Sequence, residues 1–140
     1  MSESTTIKRA LKLWEERTGH ARANADYIGL QVQSPPIRKM DSALGTLTEC
    51  RFLSLAGNMI AQISSIDSLK NLRILSLACN NIKELNEAIR RLQNLKTLDN
   101  VVILLYSFPY QVQFQVVNVD GAAIQILKEL QFIRIAHVEY

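Results

Sequence analysis

The 140-residue chain is poor in the residues that mark several protein classes. It has two cysteines, Cys50 and Cys79, too few for a disulfide framework and consistent with a reducing, intracellular setting. Three prolines and five glycines leave no room for a collagenous or low-complexity chain. The longest apolar run, Val101 to Phe108, falls well short of the roughly 18 residues that suggest a membrane span. The opening MSESTTIKRA lacks the apolar stretch of a secretory leader. Basic residues stand side by side only in pairs, as at Lys8-Arg9 and Arg90-Arg91, and the net charge is +3, so no dense stripe for a nucleic-acid backbone is present.

Catalytic machinery is equally scarce. The two histidines, His20 and His137, lie far apart in sequence and outside any nucleophile motif. No glycine-rich phosphate loop occurs, and Gly57 in LAGN is a single glycine at a turn. Cys79 has no partner at metal-ligand spacing, and Glu15-Glu16 face different sides of a helix. The expectation is a non-enzymatic protein with no cofactor and no metal.

What the chain does have is a 48% hydrophobic composition and an internal echo. CRFLSLAGNMI (Cys50 to Ile60) and LRILSLACNNI (Leu72 to Ile82) match position for position at an offset of 22 residues. Cys50 aligns with Leu72, Leu53 with Leu75, Leu55 with Leu77, Asn58 with Asn80 and Ile60 with Ile82. This is the leucine-rich-repeat pattern L-x-x-L-x-L-x-x-N-x-L. Its spacing has a physical cause. The fourth and sixth positions point inward from a short strand, and the first and eleventh close the core around them. The chain then turns sharply, leaving buried backbone groups that an asparagine amide can satisfy. Asn58 and Asn80 are therefore expected to form a structural ladder, and Cys50 to be a small core residue.

The expected fold is α/β: a leucine-rich-repeat solenoid with short parallel β-strands on its concave face and helical or 3-10 segments on its convex face. Ile60, Ile63, Ile66 and Leu69 recur every three residues, suiting a short helix or 3-10 segment. Ala88 to Leu92 is expected to be α-helical. One unit cannot bury its own apolar face, so the ends need caps. Residues 5–19 supply an N-terminal capping helix, with Thr5 or Thr6 as its cap, Ile7, Ala10, Leu11 and Trp14 on one face, and Gly19 as its stop. Residues 25–47 form a degenerate repeat in which Ile28 and Leu30 point inward, Gln33 stands at the asparagine position and Ile37, Met40, Leu44 and Leu47 fill the convex core. Residues 48–98 carry the regular repeats. A third unit begins at Leu92, Leu95 and Leu98, with Asn100 in an inward slot and Ile103 where the asparagine belongs. Residues 99–140 are divergent: VVILLYSF lacks periodicity, YQVQFQVVNV alternates like a strand, and IQILKELQFIRI fits either a helix or a poor repeat.

Residues flanking the inward pairs face the concave side. Tyr27, Phe52, Ile74 and Thr97 form one row, Gly29, Ser54 and Ser76 the next, and Gln31, Ala56 and Ala78 a third. The aromatic and aliphatic row beside small residues is a candidate track for a partner helix, with Phe52 and Ile74 at its centre. The bland reading, in which large neighbours merely cover one another, stands beside it. Arg51, Arg73, Arg90 and Arg91 are candidate rim contacts to an acidic surface such as the tails of tubulin, or else a solvated rim.

TTIKRALKLWEERTG, PPIRKMDSALGTL and NLRILSLACNNIKEL, in this order and spacing, resemble the leucine-rich-repeat light chain of axonemal outer-arm dynein, from about residue 5 to residue 86. The Trp14 helix followed by PPIRKMD is the distinctive part. The resemblance implies a non-catalytic subunit that binds the motor region of an outer-arm dynein heavy chain, near its microtubule-binding tip, and tunes motility. It implies a place in the cytoplasm, on the cytoskeleton of the ciliary or flagellar axoneme, with no nucleic acid or membrane as partner. After Leu98 the sequence departs from the family, whose members continue with further full repeats. The alternative is a general intracellular repeat scaffold, such as a protein phosphatase regulatory subunit, whose repeats have the same length.

Overall fold

In the computed structural model, residues 3–82 are described in full and residues 102–104 in their backbone pairing. Helix α1 (Ile7–Thr18) opens with the Thr6 side chain accepting the Arg9 N–H at 3.1 Å. It closes on Gly19, whose φ of 74° is the left-handed conformation glycine adopts without steric cost, its N–H donated to the Glu15 carbonyl at 2.8 Å. Thr6 is thus the cap. Thr5 has a different task, since its N–H bonds the Pro36 carbonyl and its hydroxyl bonds that of Pro35, tying the helix to the irregular first unit. Ile7, Ala10, Leu11 and Trp14 are all buried, forming the stripe their spacing predicts.

Among the described residues four three-residue strands follow: β1 (Tyr27–Gly29), β2 (Phe52–Ser54), β3 (Ile74–Ser76) and β4 (Val102–Leu104). They pair in parallel in chain order. The register sets Tyr27 beside Phe52 and Phe52 beside Ile74, and Ile28 beside Leu53 and Leu53 beside Leu75. Ile28, Leu30, Leu53, Leu55, Leu75 and Leu77 are buried, and from the other side Ile37, Met40, Leu44, Leu47, Ile60, Ile66, Leu69 and Leu72 meet them. The leucine-rich-repeat architecture is therefore the fold of this chain, with α1 covering the core at its N-terminal end. Cys50 is wholly buried in that core.

Two expectations are corrected. The convex segment from Ile60 to Leu72 contains no helix or 3-10 segment; Ser42–Thr46, capped by Asp41, is the convex 3-10 turn of the first unit. In the second unit Ser65 sits at φ 58°, which interrupts any helical run. Separate turn bonds remain, from Leu69 N–H to Ile66 C=O and from Leu72 N–H to Leu69 C=O. The core contacts at every third residue survive without the helix.

The second correction concerns the fourth strand. The register sets Val102 opposite Ile74 and Ile103 opposite Leu75, the places that the leucine spacing, with one residue added to the 22, assigns to Thr97 and Leu98. Ile103 is thus a strand residue and not the stand-in for an asparagine. The reason is chemical: the earlier register would put the Asn100 amide in an apolar slot, whereas Val102 and Ile103 are β-branched and suit a strand. Thr97, Arg90, Arg91, the helix expected at Ala88 to Leu92 and the segments beyond Leu104 lie outside the described residues.

The turns leaving β1, β2 and β3 use a left-handed residue at one repeated place: Val32, Gly57 and Cys79 have φ of 50°, 69° and 55°. Gly57 is the one of the three without a steric penalty there. A Cβ on Gly57 would also stand 2.8 Å from Val32 Cγ2. Gly57→Ala is expected to lower stability by about 1–2 kcal/mol, read as a lower urea midpoint at unchanged slope.

Candidate functional site

The ladder asparagines come first, because they hold the strands that present the concave face. Asn58 is buried, and its side-chain amide donates to the carbonyls of Leu30 at 3.1 Å and Leu55 at 3.0 Å. Its Oδ1 accepts the N–H of Ile37 at 2.9 Å and of Gln33 at 3.3 Å. Asn80 repeats the arrangement one unit later, donating to Leu55 and Leu77 carbonyls and accepting the Ile60 N–H at 2.9 Å. Each amide therefore stitches its own turn to the preceding unit, and the Leu55 carbonyl receives both. Gln33 does not imitate them: its side chain donates to the Gln31 carbonyl at 3.3 Å.

The aromatic row of the concave face is not uniform. Tyr27 on edge strand β1 is 50% exposed, Phe52 is half-buried, and Ile74 is 1% exposed. The rings of Tyr27 and Phe52 pack at 5.1 Å between centroids, tilted by 47°. Ile74, which the sequence reading set at the centre of the docking track, is a covered residue and not part of an open surface. Ser54 and Ser76 are also buried, at 8% each. Among the described residues, the accessible aromatic surface of this face is thus the Tyr27–Phe52 pair at the N-terminal end of the sheet. Offset or tilted pairs of this kind carry large apolar area with little conformational freedom to lose, which suits a binding surface.

Beside this pair runs a charged rim. Asp26, Arg51 and Arg73 immediately precede β1, β2 and β3, and all three are exposed. Their backbones are linked, Arg51 N–H to the Asp26 carbonyl and Arg73 N–H to the Arg51 carbonyl, each at 2.8 Å. The sheet therefore brings together two of the four arginines that the sequence reading chose.

An open cleft of about 520 Å³ adjoins Tyr27, enclosed by Trp14, Arg17 and His20 from the end of α1, Asn24 and Asp26 from the next loop, and Gly29 and Gln31 from β1 and its exit. The Glu15 carboxylate fixes the loop to the helix: Arg22 donates to it through its guanidinium at 2.7 Å and its backbone N–H at 2.9 Å. These bonds hold the Glu15 carboxyl below its ordinary range, the side-chain bond being the larger cause. Sequence spacing gives no signal of the cleft, because three separate segments build it; Trp14 reads there as a core residue and His20 as lying outside any nucleophile motif, yet their ring centroids stand 6.4 Å apart.

Cys50 is buried, whereas Cys79 is half-buried. Burial pushes the Cys50 thiol from its ordinary 9.0 up to about 12, opposed by backbone hydrogen bonding from Phe52 and Ile28. Because the folded value is the higher, an unfolded chain ionises first, and the stability is intact below about pH 9 and erodes as pH rises toward 12. The expected slope approaches about 1.4 kcal/mol per pH unit for this one group, and Cys50→Ala should flatten it in urea titrations across that window. Among the described residues, no group of three or more histidine, cysteine, aspartate or glutamate side chains comes together as a metal site, and no helix is long and apolar enough to cross a membrane.

Comparison with known proteins places these features. A family model described as leucine-rich repeats in two copies matches residues 48–90. Dynein axonemal light chain 1 from Rattus norvegicus is 55% identical to the chain over 86 residues, and that from Homo sapiens 54% over the same length. The protein of that name from Chlamydomonas reinhardtii is 45% identical over 85 residues. The match takes in 61% of this chain, and the chain spans 45% of the rat and human proteins and 43% of the algal one. The resemblance read from the Trp14 helix, PPIRKMD and the repeats is borne out by these relatives.

Proposed function

We propose that this leucine-rich-repeat chain, similar over 86 residues to dynein axonemal light chain 1 from animals and an alga, is a non-catalytic light chain of an axonemal dynein. It binds the motor region of an outer-arm dynein heavy chain near the microtubule-binding tip and tunes the beating of a cilium or flagellum. The observation that carries the reading is this identity of 45–55%, which includes relatives as distant as Chlamydomonas reinhardtii. The surface that supports it is the Tyr27–Phe52 pair, flanked by the exposed Arg51 and Arg73. The aromatic pair supplies the apolar anchor. The arginines face acidic groups of the partner, or of tubulin close by, and chiefly speed association.

The test is copurification. Affinity-tagged full-length chain, expressed in ciliated cells, is expected to bring down an outer-arm dynein heavy chain from extracted axonemes. Recovery of a phosphatase catalytic subunit in place of any dynein heavy chain would overturn the reading.

A further inference from the structure

The open edge of β1 has a bonding pattern of its own. In β1 and its exit, the backbone groups directed at β2 belong to alternate residues: the Asp26 carbonyl accepts the Phe52 N–H, Leu30 N–H reaches the Ser54 carbonyl at 2.8 Å, and Val32 N–H reaches the Ala56 carbonyl at 2.9 Å. Strand geometry then turns the N–H and C=O groups of Tyr27 and Gly29, and the N–H of Gln31, to the opposite side. Among the described residues, no backbone group pairs with them there. These same three residues line the cleft beside Trp14 and Arg17. Gly29 is buried, yet what lies across it is the tip of two side chains: a Cβ there would stand 2.6 Å from Gln31 Oε1 and 2.9 Å from the Tyr27 hydroxyl. Tyr27 and Gln31 are both exposed, so both tips can swing aside.

An unpaired strand edge with a cleft alongside is a template for an extended main chain. We infer that an extended segment of the dynein heavy chain adds to β1 as an outer strand, seated in this cleft. The inference rests on the heavy-chain reading above and deepens it. Alternate amides of the segment pair with Tyr27 and Gly29, and the intervening side chains divide between the Trp14 wall and solvent. The absence of a side chain at Gly29 lets the incoming backbone approach. Continuity favours this partner over others, since Tyr27 belongs both to the cleft and to the exposed aromatic pair.

Amide hydrogen exchange on the full-length chain, free and bound to a recombinant heavy-chain tip, tests it. Exchange at Tyr27, Gly29 and Gln31 is expected to slow at least tenfold in the complex. Gln31→Pro, which deletes one edge-facing N–H, is expected to bind about fivefold more weakly than Gln31→Ala, which keeps it. A complex that forms with all three amides exchanging at the free rate overturns the inference while leaving the heavy-chain reading intact. Protection of these amides in the chain alone, rising with its concentration, assigns the edge to a second copy and also overturns it. If no complex forms, the heavy-chain reading fails and takes this inference with it.

Discussion

Asn58→Ala is expected to lower the stability of the chain by about 3–5 kcal/mol, a large part of the 5–15 kcal/mol typical of a domain. The Asn58 side chain is buried and holds four backbone groups: the carbonyls of Leu30 and Leu55 and the N–H groups of Ile37 and Gln33. Alanine leaves the Ile37 N–H and Leu30 carbonyl, both in buried bonds, without the amide that pairs them. Each such orphan costs roughly 1–3 kcal/mol, while a hydrogen bond exchanged with water would cost about 1. Asn80→Ala should cost less, because Asn80 is only half-buried and water can replace part of its bonding. Urea denaturation followed by the fluorescence of Trp14, the only tryptophan, gives both numbers. Equal midpoints for Asn58→Ala and wild type would contradict the ladder.

The ladder was legible in the sequence because two asparagines recur at one offset between inward leucines, and no other role explains an amide at that place. The caps of α1 were legible for the same kind of reason, as Thr5 or Thr6 at the start and Gly19 at the end, because every helix leaves end groups open; which threonine caps was settled by the fold. The fate of Ile74 was not. Its burial is a property of the assembled fold, in which β3 lies between β2 and β4 with Phe52 and Val102 at the paired backbone positions. That pairing skips the 22-residue count, since Ile103 lies opposite Leu75 at a distance of 28 residues in sequence. Local pattern reads one unit at a time, so a lengthened unit breaks its bookkeeping. The convex turns escaped it too, because apolar residues at every third position constrain where side chains point but not whether the backbone between them is helical. Ser65 in the left-handed region decides that, and serine carries no signal for it.

The cleft shows the same limit from another direction. Trp14, Arg17 and His20 come from the end of α1, and Gly29 and Gln31 from the first strand and its exit. Each has an ordinary local explanation, and their meeting is a property of the fold.

The second large effect is on binding. Substituting Tyr27 and Phe52 together with lysine is expected to weaken association with the heavy-chain tip by at least a hundredfold. Central aromatic anchors each contribute about 2 kcal/mol or more, and two of them in contact act as one unit, so the pair falls short of a simple sum. Both side chains are accessible, so the exchange should leave the circular dichroism spectrum and the urea midpoint close to wild type. Ile74→Lys behaves differently: it places an ammonium at a site 1% exposed and should unfold the chain before it informs on binding. The comparison separates a surface that grips a partner from one that merely holds the sheet together. Loss of binding by Arg51→Glu alone, with the aromatic pair intact, would move the main attraction to the rim.

A photo-crosslinking residue placed at Phe52, compared with one at the exposed convex Ser68, tests most directly which face meets the motor. In isolated axonemes, irradiation should join the chain to an outer-arm dynein heavy chain from position 52 and not from position 68. A heavy-chain adduct from position 68 alone would contradict the concave-face account.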